Sequence, residues 1–204
     1  MLARWAGDEQ KTKTRRTMKI MTLAGCVLAL AMPLAWGQQS QTASTTDQTS
    51  TESQRGQFSS KDFKFLENAV RGGMEEVELG QLAQQKASNQ GVRDFGQRMV
   101  TDHNKANDEL RALATQKGAT LATQTSHSER STMSHLQNES GANFDQAYVK
   151  DMVKDHKKDV KEFEKAAKDL TDPDLKAWAQ KTLPILQQHL QLAENLEATV
   201  KGQK

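Results

Sequence analysis

Two heptapeptides carry the residues best suited to chemistry in this chain. MVTDHNK occupies 99–105 and MVKDHKK occupies 152–158, and five of their seven letters agree. Each offers an imidazole, at His103 or His156, directly after a carboxylate, Asp102 or Asp155. A third histidine, His189, stands in LPILQQHLQLA at 183–193. Neutral imidazole and carboxylate are ligands for zinc, iron, manganese or copper. Met99 and Met152 precede the first two histidines by one helical turn, and thioether with imidazole would favour copper(I). Methionine is also a common gap-filler, and packing is the reading preferred for both. Thiol chemistry has one candidate, Cys26, the single cysteine of the chain.

These groups can act together only if the chain brings them to one place, and the apolar pattern says how. From Phe58 onward the periodicity is helical throughout. Four helices are expected over 60–87, 90–117, 142–170 and 173–200, with a long connection over 119–140 that holds a short helix near 128–138. Their stripes are Leu66, Val70, Gly73 and Val77 on the first, then Phe95, Met99, Ala106, Leu110 and Leu113 on the second. Tyr148, Met152, Phe163 and Ala166 line the third, and Trp178, Ile185, Leu192 and Leu196 the fourth. Ser59 or Ser60 suits the first start, Gly118 the second end, and Asp172-Pro173 is an N-cap followed by proline in the first turn. Helices of about 28 residues run roughly 42 Å. Two tight hairpins flanking one longer connection make an all-α, antiparallel four-helix bundle of ferritin-like proportions.

At 100° per residue, His103 and His156 each lie about 30° from the centre of their stripes, and His189 lies near the middle of its own. All three therefore face the interior. They sit 13, 14 and 16 residues into their helices, near mid-height in an antiparallel bundle. Glu76 reaches a similar level on the flank of the first stripe, and Asp159 follows His156 by one turn on the inward side. His103, His156 and His189, with Glu76 or Asp159 completing the set, are thus the candidate ligands for one transition-metal ion (copper, zinc or iron). The plainer alternative is a buried hydrogen-bond network of the same residues that fixes the packing and binds nothing. Asp102 and Asp155 read as rim charges, with partners that orient the histidines as the alternative, and His127 and His135 read as solvated residues of the connection. The run KDHKKDVKEFEKAAKD reads as a salt-bridged outer face around a narrow seam. Pro184 removes a backbone donor inside the fourth helix and should kink it.

The N-terminus has a different character. Residues 20–36, IMTLAGCVLALAMPLAW, are apolar and uncharged, follow Arg15, Arg16 and Lys19, and end at a small-x-small cleavage pattern, Ala35-Trp36-Gly37. This is the form of a secretory signal over 1–37, with Met18 as an alternative start. A single N-terminal membrane anchor, or a lipid anchor on Cys26 of Leu23-Ala24-Gly25-Cys26, are the alternatives. Residues 38–57 contain 15 Gln, Ser or Thr and no large apolar side chain, so a disordered linker is expected ahead of a bundle domain over 58–201. Removal of 1–37 would leave 22 basic and 24 acidic residues, net −2. No basic patch with interleaved aromatics argues for nucleic acid. The expected location is periplasmic or secreted, with no membrane span in the mature chain.

GGMEEVELGQLA (72–83), DFGQRMVTDHNKAN (94–107), FDQAYVKDMVKDH (144–156) and LPILQQHLQLA (183–193) resemble, in that order, the bacterial domain-of-unknown-function family 4142. The resemblance covers about residues 58–200. It implies a ferritin-like fold and export, and no established activity. By that resemblance Glu76, Glu78, His103, His156 and His189 fall on recurrent polar positions, while Glu75 stands where a small residue is expected. The chain departs from true di-iron ferritins. Val100, Val153 and Leu186 hold the positions three before each histidine, so the Glu-x-x-His pairs of a di-iron centre are missing. The sequence therefore points to an envelope binding or stress-related bundle rather than a ferroxidase. A structural or partner-binding bundle, with an envelope protein as partner, is the second reading. A metal-dependent redox enzyme is the third, because no separate acid, base or nucleophile constellation is present.

Overall fold

The computed structural model describes residues 54–121, 123, 124 and 127–202, the side chains of 127–129 excepted. The signal segment, Cys26, the linker as far as Ser53 and the side chain of His127 lie outside the described residues. Five helices follow in order: α1 (Ser60–Lys86), α2 (Gln90–Gln116), α3 (His127–Gln137), α4 (Gly141–Asp169) and α5 (Pro173–Val200). The four long ones agree with the ranges read from periodicity to within a residue at most ends. Helix α3 lies inside the long connection, where a short helix is expected. None of the described helices is long and apolar enough to cross a membrane.

The boundaries follow from local chemistry. The Ser59 hydroxyl accepts from the Asp62 N–H at 3.1 Å, and the Asn89 amide oxygen from the Val92 N–H at 3.3 Å. The Asp172 carboxylate accepts from the N–H groups of Asp174 and Leu175 at 3.1 and 2.9 Å, with Pro173 supplying the φ that starts α5. Gly118 ends α2 at φ +72°, a conformation that a Cβ would strain. Residues 54–57 are folded against this end. Gln57 N–H donates to the Lys117 carbonyl at 2.9 Å and Thr120 N–H to the Gln54 carbonyl at 2.7 Å. The folded region thus reaches back to Gln54, ahead of the start at 58 that composition suggests.

Helices pack most closely within the α1–α2 and α4–α5 hairpins and more sparsely between α1 and α4. At the α1–α2 seam the backbones nearly touch. A Cβ on Gly80 would lie 2.6 Å from the Gly96 carbonyl oxygen, and a Cβ on Gly96 would lie 2.8 Å from that of Gly80. Buried carboxylates lock each hairpin turn to the other hairpin. Asp62 of α1 accepts from Thr171 N–H at 3.2 Å, from Asp172 N–H at 2.9 Å and from the Thr171 hydroxyl. Asp145 of α4 accepts from Ser88 N–H at 3.1 Å, from Asn89 N–H at 2.9 Å and from the Ser88 hydroxyl. Six orphan turn donors are met in this way by two side chains.

Two apolar clusters form the core. Leu79, Phe95, Met99, Leu136, Phe144, Tyr148, Met152 and Ala193 belong to one, and Leu66, Val70, Leu110, Phe163, Leu175, Trp178 and Leu186 to the other. The long helices pass from one cluster to the other through a polar layer that contains Glu76, His103, His156 and His189, all buried. Two stripes need correction. Leu192 is 37% exposed, and the inward face of α5 is carried by Thr182, Leu186, His189 and Ala193. On α1 the inward positions are Glu76, Leu79 and Gly80, with Val77 only half-buried, because close packing against α2 turns the glycine edge of α1 inward. Helix α5 continues through Pro184, which is exposed.

Candidate metal centre

The three histidines converge as their angles and depths predict. Ring centroids are 6.0 Å apart for His103–His156 and 5.4 Å apart for both His103–His189 and His156–His189. One ring nitrogen from each lies within 4.8 Å of the other two. Three atoms at that limit surround a point about 2.8 Å from each, so bonds near 2.0–2.1 Å ask each ring to close by about 0.7 Å. Side-chain torsions supply such a movement without shifting the backbone.

The hydrogen bonds of these rings run outward. His156 Nδ1 donates to the Met152 carbonyl at 3.0 Å, which is a bond to its own helix. His189 Nε2 donates to Asp102 Oδ2 at 2.8 Å across α2 and α5. Arg98 donates from Nε to the same carboxylate oxygen at 3.3 Å and from Nη2 to Gln188 Oε1 at 3.1 Å. These bonds set the tautomers, leaving a lone pair on His156 Nε2 and on His189 Nδ1. Those two atoms and His103 Nε2 are buried and have no hydrogen-bond partner. The alternative network of imidazoles and carboxylates is present in part, with His189 on Asp102 and His156 3.7 Å from Glu76, while these three nitrogens have no partner.

Electrostatics keep the rings in their ligand form. Burial holds His103 well below its usual value, with His156 and His189 adding to the effect. Burial also lowers His156 to about 4, helped by His189 and opposed by the Met152 carbonyl. His189 is lowered by burial too, with Asp102 pulling the other way. All three are therefore neutral at pH 7, as metal binding requires.

The carboxylates divide. Glu76 is buried with Oε1 3.7 Å from His156 Nδ1, and its Oε2 has no partner. Burial raises its carboxyl well above the usual range, and Asp159, Asp155 and Glu75 raise it further. A nearby cation would reverse that preference and hold Glu76 ionised. Asp159 is half-buried beside the cluster, and burial lifts it to about 7. Neither belongs to the group of three whose ligand atoms converge. Asp102, half-buried, orients His189, the alternative to the rim reading preferred from sequence. Only the register between α2 and α5 puts it there. Met99 and Met152 are fully buried among apolar side chains, in keeping with packing. His135 is exposed.

A cavity of about 370 Å³ leads to this layer from between the hairpins. His103, His189, Glu76, Glu75, Asp155 and Asp159 are among the residues that line it. Two further polar atoms went unnoticed in the sequence because only burial makes them significant. Tyr148 Oη and Trp178 Nε1 are buried without a partner.

A family model described as "Domain of unknown function (DUF4142)" matches residues 47–196. Among solved structures, a crystal structure of a DUF305 fragment from Deinococcus radiodurans is similar, with a TM-score of 0.63 and 10% identity, covering 70% of this chain and 98% of that one. At that identity the likeness concerns the fold alone. No curated protein matches the chain.

Proposed function

The chain belongs to the DUF4142 family, and from that premise we propose that it holds one transition-metal ion through His103, His156 and His189. The observation that carries this reading is the set of three mutually close, neutral imidazoles, each with one buried nitrogen that no protein group satisfies. An unmet buried polar atom costs about 1–3 kcal/mol, and three on neighbouring rings are costly to leave unmet. Glu76, whose Oε1 is 3.7 Å from His156 Nδ1, would supply a counter-charge in this reading, and Asp159 lines the same cavity. Nitrogen-rich sets of this kind suit zinc, copper or iron and leave calcium and magnesium poorly served. A bound ion would supply Lewis-acid or redox character. The residues of the chain hold the rings and fix the tautomers of His156 and His189.

The export signal read at 1–37 belongs to the same proposal: residues 38–204 would meet their metal in the periplasm or outside the cell. N-terminal sequencing of the exported product checks this part, with a start near residue 38 expected and an intact N-terminus against it. Metal content by mass spectrometry of chelator-free protein tests the site. Near-stoichiometric zinc, copper or iron is expected in the wild type and none in a variant with His103, His156 and His189 changed to alanine. Equal content in both, or none in either after reconstitution with each of the three ions, would turn the histidines into packing residues.

A further inference from the structure

The cavity is larger than an ion needs, and its lining has a sign. Six carboxylates line it (Glu75, Glu76, Asp102, Asp155, Asp159 and Glu162), against two cations, Arg71 and Lys158. Both cations already have carboxylate partners, Arg71 with Glu67 at 3.6 Å and Lys158 with Glu162 at 3.8 Å. Asp102 is likewise engaged, by His189 and Arg98. Asp155 and Asp159, both half-buried, take part in no hydrogen bond or ion pair among the described residues. Glu76 is 4% exposed, and its Oε2 has no partner. After burial, the groups that raise its carboxyl are Asp159, Asp155 and Glu75, and all three line the cavity. The Glu76 carboxyl therefore lies on the side of that acidic group.

A bare metal ion does not fit these acids. Among the described residues, only the three histidines converge closely enough to hold one ion. The carboxylates are spread more widely, and they adjoin an apolar surface. On α4, Asp155, Asp159 and Phe163 follow at four-residue steps, each about 6 Å along the axis. Helix α1 runs the other way beside it, with Phe65 packed on Phe163 at a centroid distance of 5.1 Å. Trp178 of α5 completes the aromatic group, 5.6 Å from Phe163 and 6.4 Å from Phe65. All three rings line the same cavity as the acids, and its volume of about 370 Å³ is that of a small-molecule site. Carboxylates one helical turn from aromatic rings suit an ammonium group, which is drawn by full negative charges and by ring faces alike.

We infer that this cavity binds an organic cation, a protonated amine carrying a short apolar body, with its ammonium among Asp155, Asp159 and Glu76 and its body against Phe65, Phe163 and Trp178. The site goes beyond the metal reading and does not depend on it. An anion of the same shape would meet a surplus of carboxylates, and a neutral molecule would leave them without a counter-charge.

Hexylamine is the probe, with 1-hexanol as its neutral counterpart, hexanoate as its anionic one and methylamine as the counterpart without the apolar body. Equilibrium dialysis of the chelator-treated full chain in physiological salt measures each affinity. Hexylamine should bind about tenfold more tightly than hexanol, the worth of one hydrogen bond to a charged group, with hexanoate weaker still. Methylamine should bind about a hundredfold more weakly than hexylamine, because it lacks the buried methylene groups. Asp155→Asn combined with Asp159→Asn should bring hexylamine to the level of hexanol, with helical content checked by circular dichroism and Asp159→Asn alone as a milder second variant. The comparison among the four probes needs no variant. Hexanol, hexanoate or methylamine binding as tightly as hexylamine, undiminished hexylamine binding in the folded double variant, or no saturable uptake would overturn the inference. Reconstitution of the same protein with zinc, copper or iron separates the two proposals: hexylamine binding by a protein that takes up no metal removes the metal reading alone, and metal without hexylamine binding removes this one alone.

Discussion

Replacing His156 with leucine should make the metal-free protein less sensitive to acid, by an amount that the structure sets. His156 is fully buried, and its imidazole is pushed down to about 4 from 6.5. The folded state therefore binds fewer protons at this site than the unfolded chain whenever the pH lies between those values. Stability associated with the neutral ring is complete above pH 6.5 and falls as the pH drops towards 4. From pH 7.5 to pH 5 the loss from this one ring is about 2 kcal/mol. Leucine has a similar volume and no proton to bind, so His156→Leu removes the loss. It also relieves the rings beside it, because His156 lowers His103. Both effects have the same sign. Urea unfolding of chelator-treated protein at the two pH values measures it, with stability read by linear extrapolation. The difference between variant and wild type should move by about 2 kcal/mol in favour of the variant at pH 5. Glu76 and Asp159, whose carboxyls are raised, oppose the trend in the wild type and the variant alike, so the comparison cancels them to first order. Parallel pH profiles would refute the argument, since they would mean that the ring is not desolvated in the folded protein.

Asp102→Asn should weaken zinc binding about 10–100-fold, measured by competition with a chromophoric chelator, while leaving urea stability nearly unchanged, because the carboxylate orients His189 from outside the cluster. Zinc at a hundred times its dissociation constant should stabilise the wild type by about 2.7 kcal/mol, and the triple histidine-to-alanine variant by nothing measurable. Gly80→Ala should cost about 2 kcal/mol in the same unfolding assay, since the new Cβ would press on the Gly96 carbonyl and the two helices must part. Asp145→Ala should cost about 2–3 kcal/mol by leaving the turn donors of Ser88 and Asn89 unmet, and Asp145→Asn should recover part of it.

The sequence by itself determined the four long helices, their order and the height of the histidines. Helical periodicity is written in local spacing, and caps such as Ser59, Asn89 and Asp172-Pro173 act within four residues of themselves. Depth along a helix is a count, so His103, His156 and His189 could be set level before any packing was known. What sequence could not fix was the rotation of one helix against another. The α1–α2 seam at Gly80 and Gly96 turned Glu76 inward and left Val77 at the edge, and Leu192 gave up its place on α5 to Ala193. The register between α2 and α5 put Asp102 on His189, where the sequence alone had favoured a rim charge. Whether the buried nitrogens found partners was also a tertiary matter. A hydrogen bond across a bundle depends on ångström-scale placement of two helices, and the pattern of residues along either one carries no record of that distance.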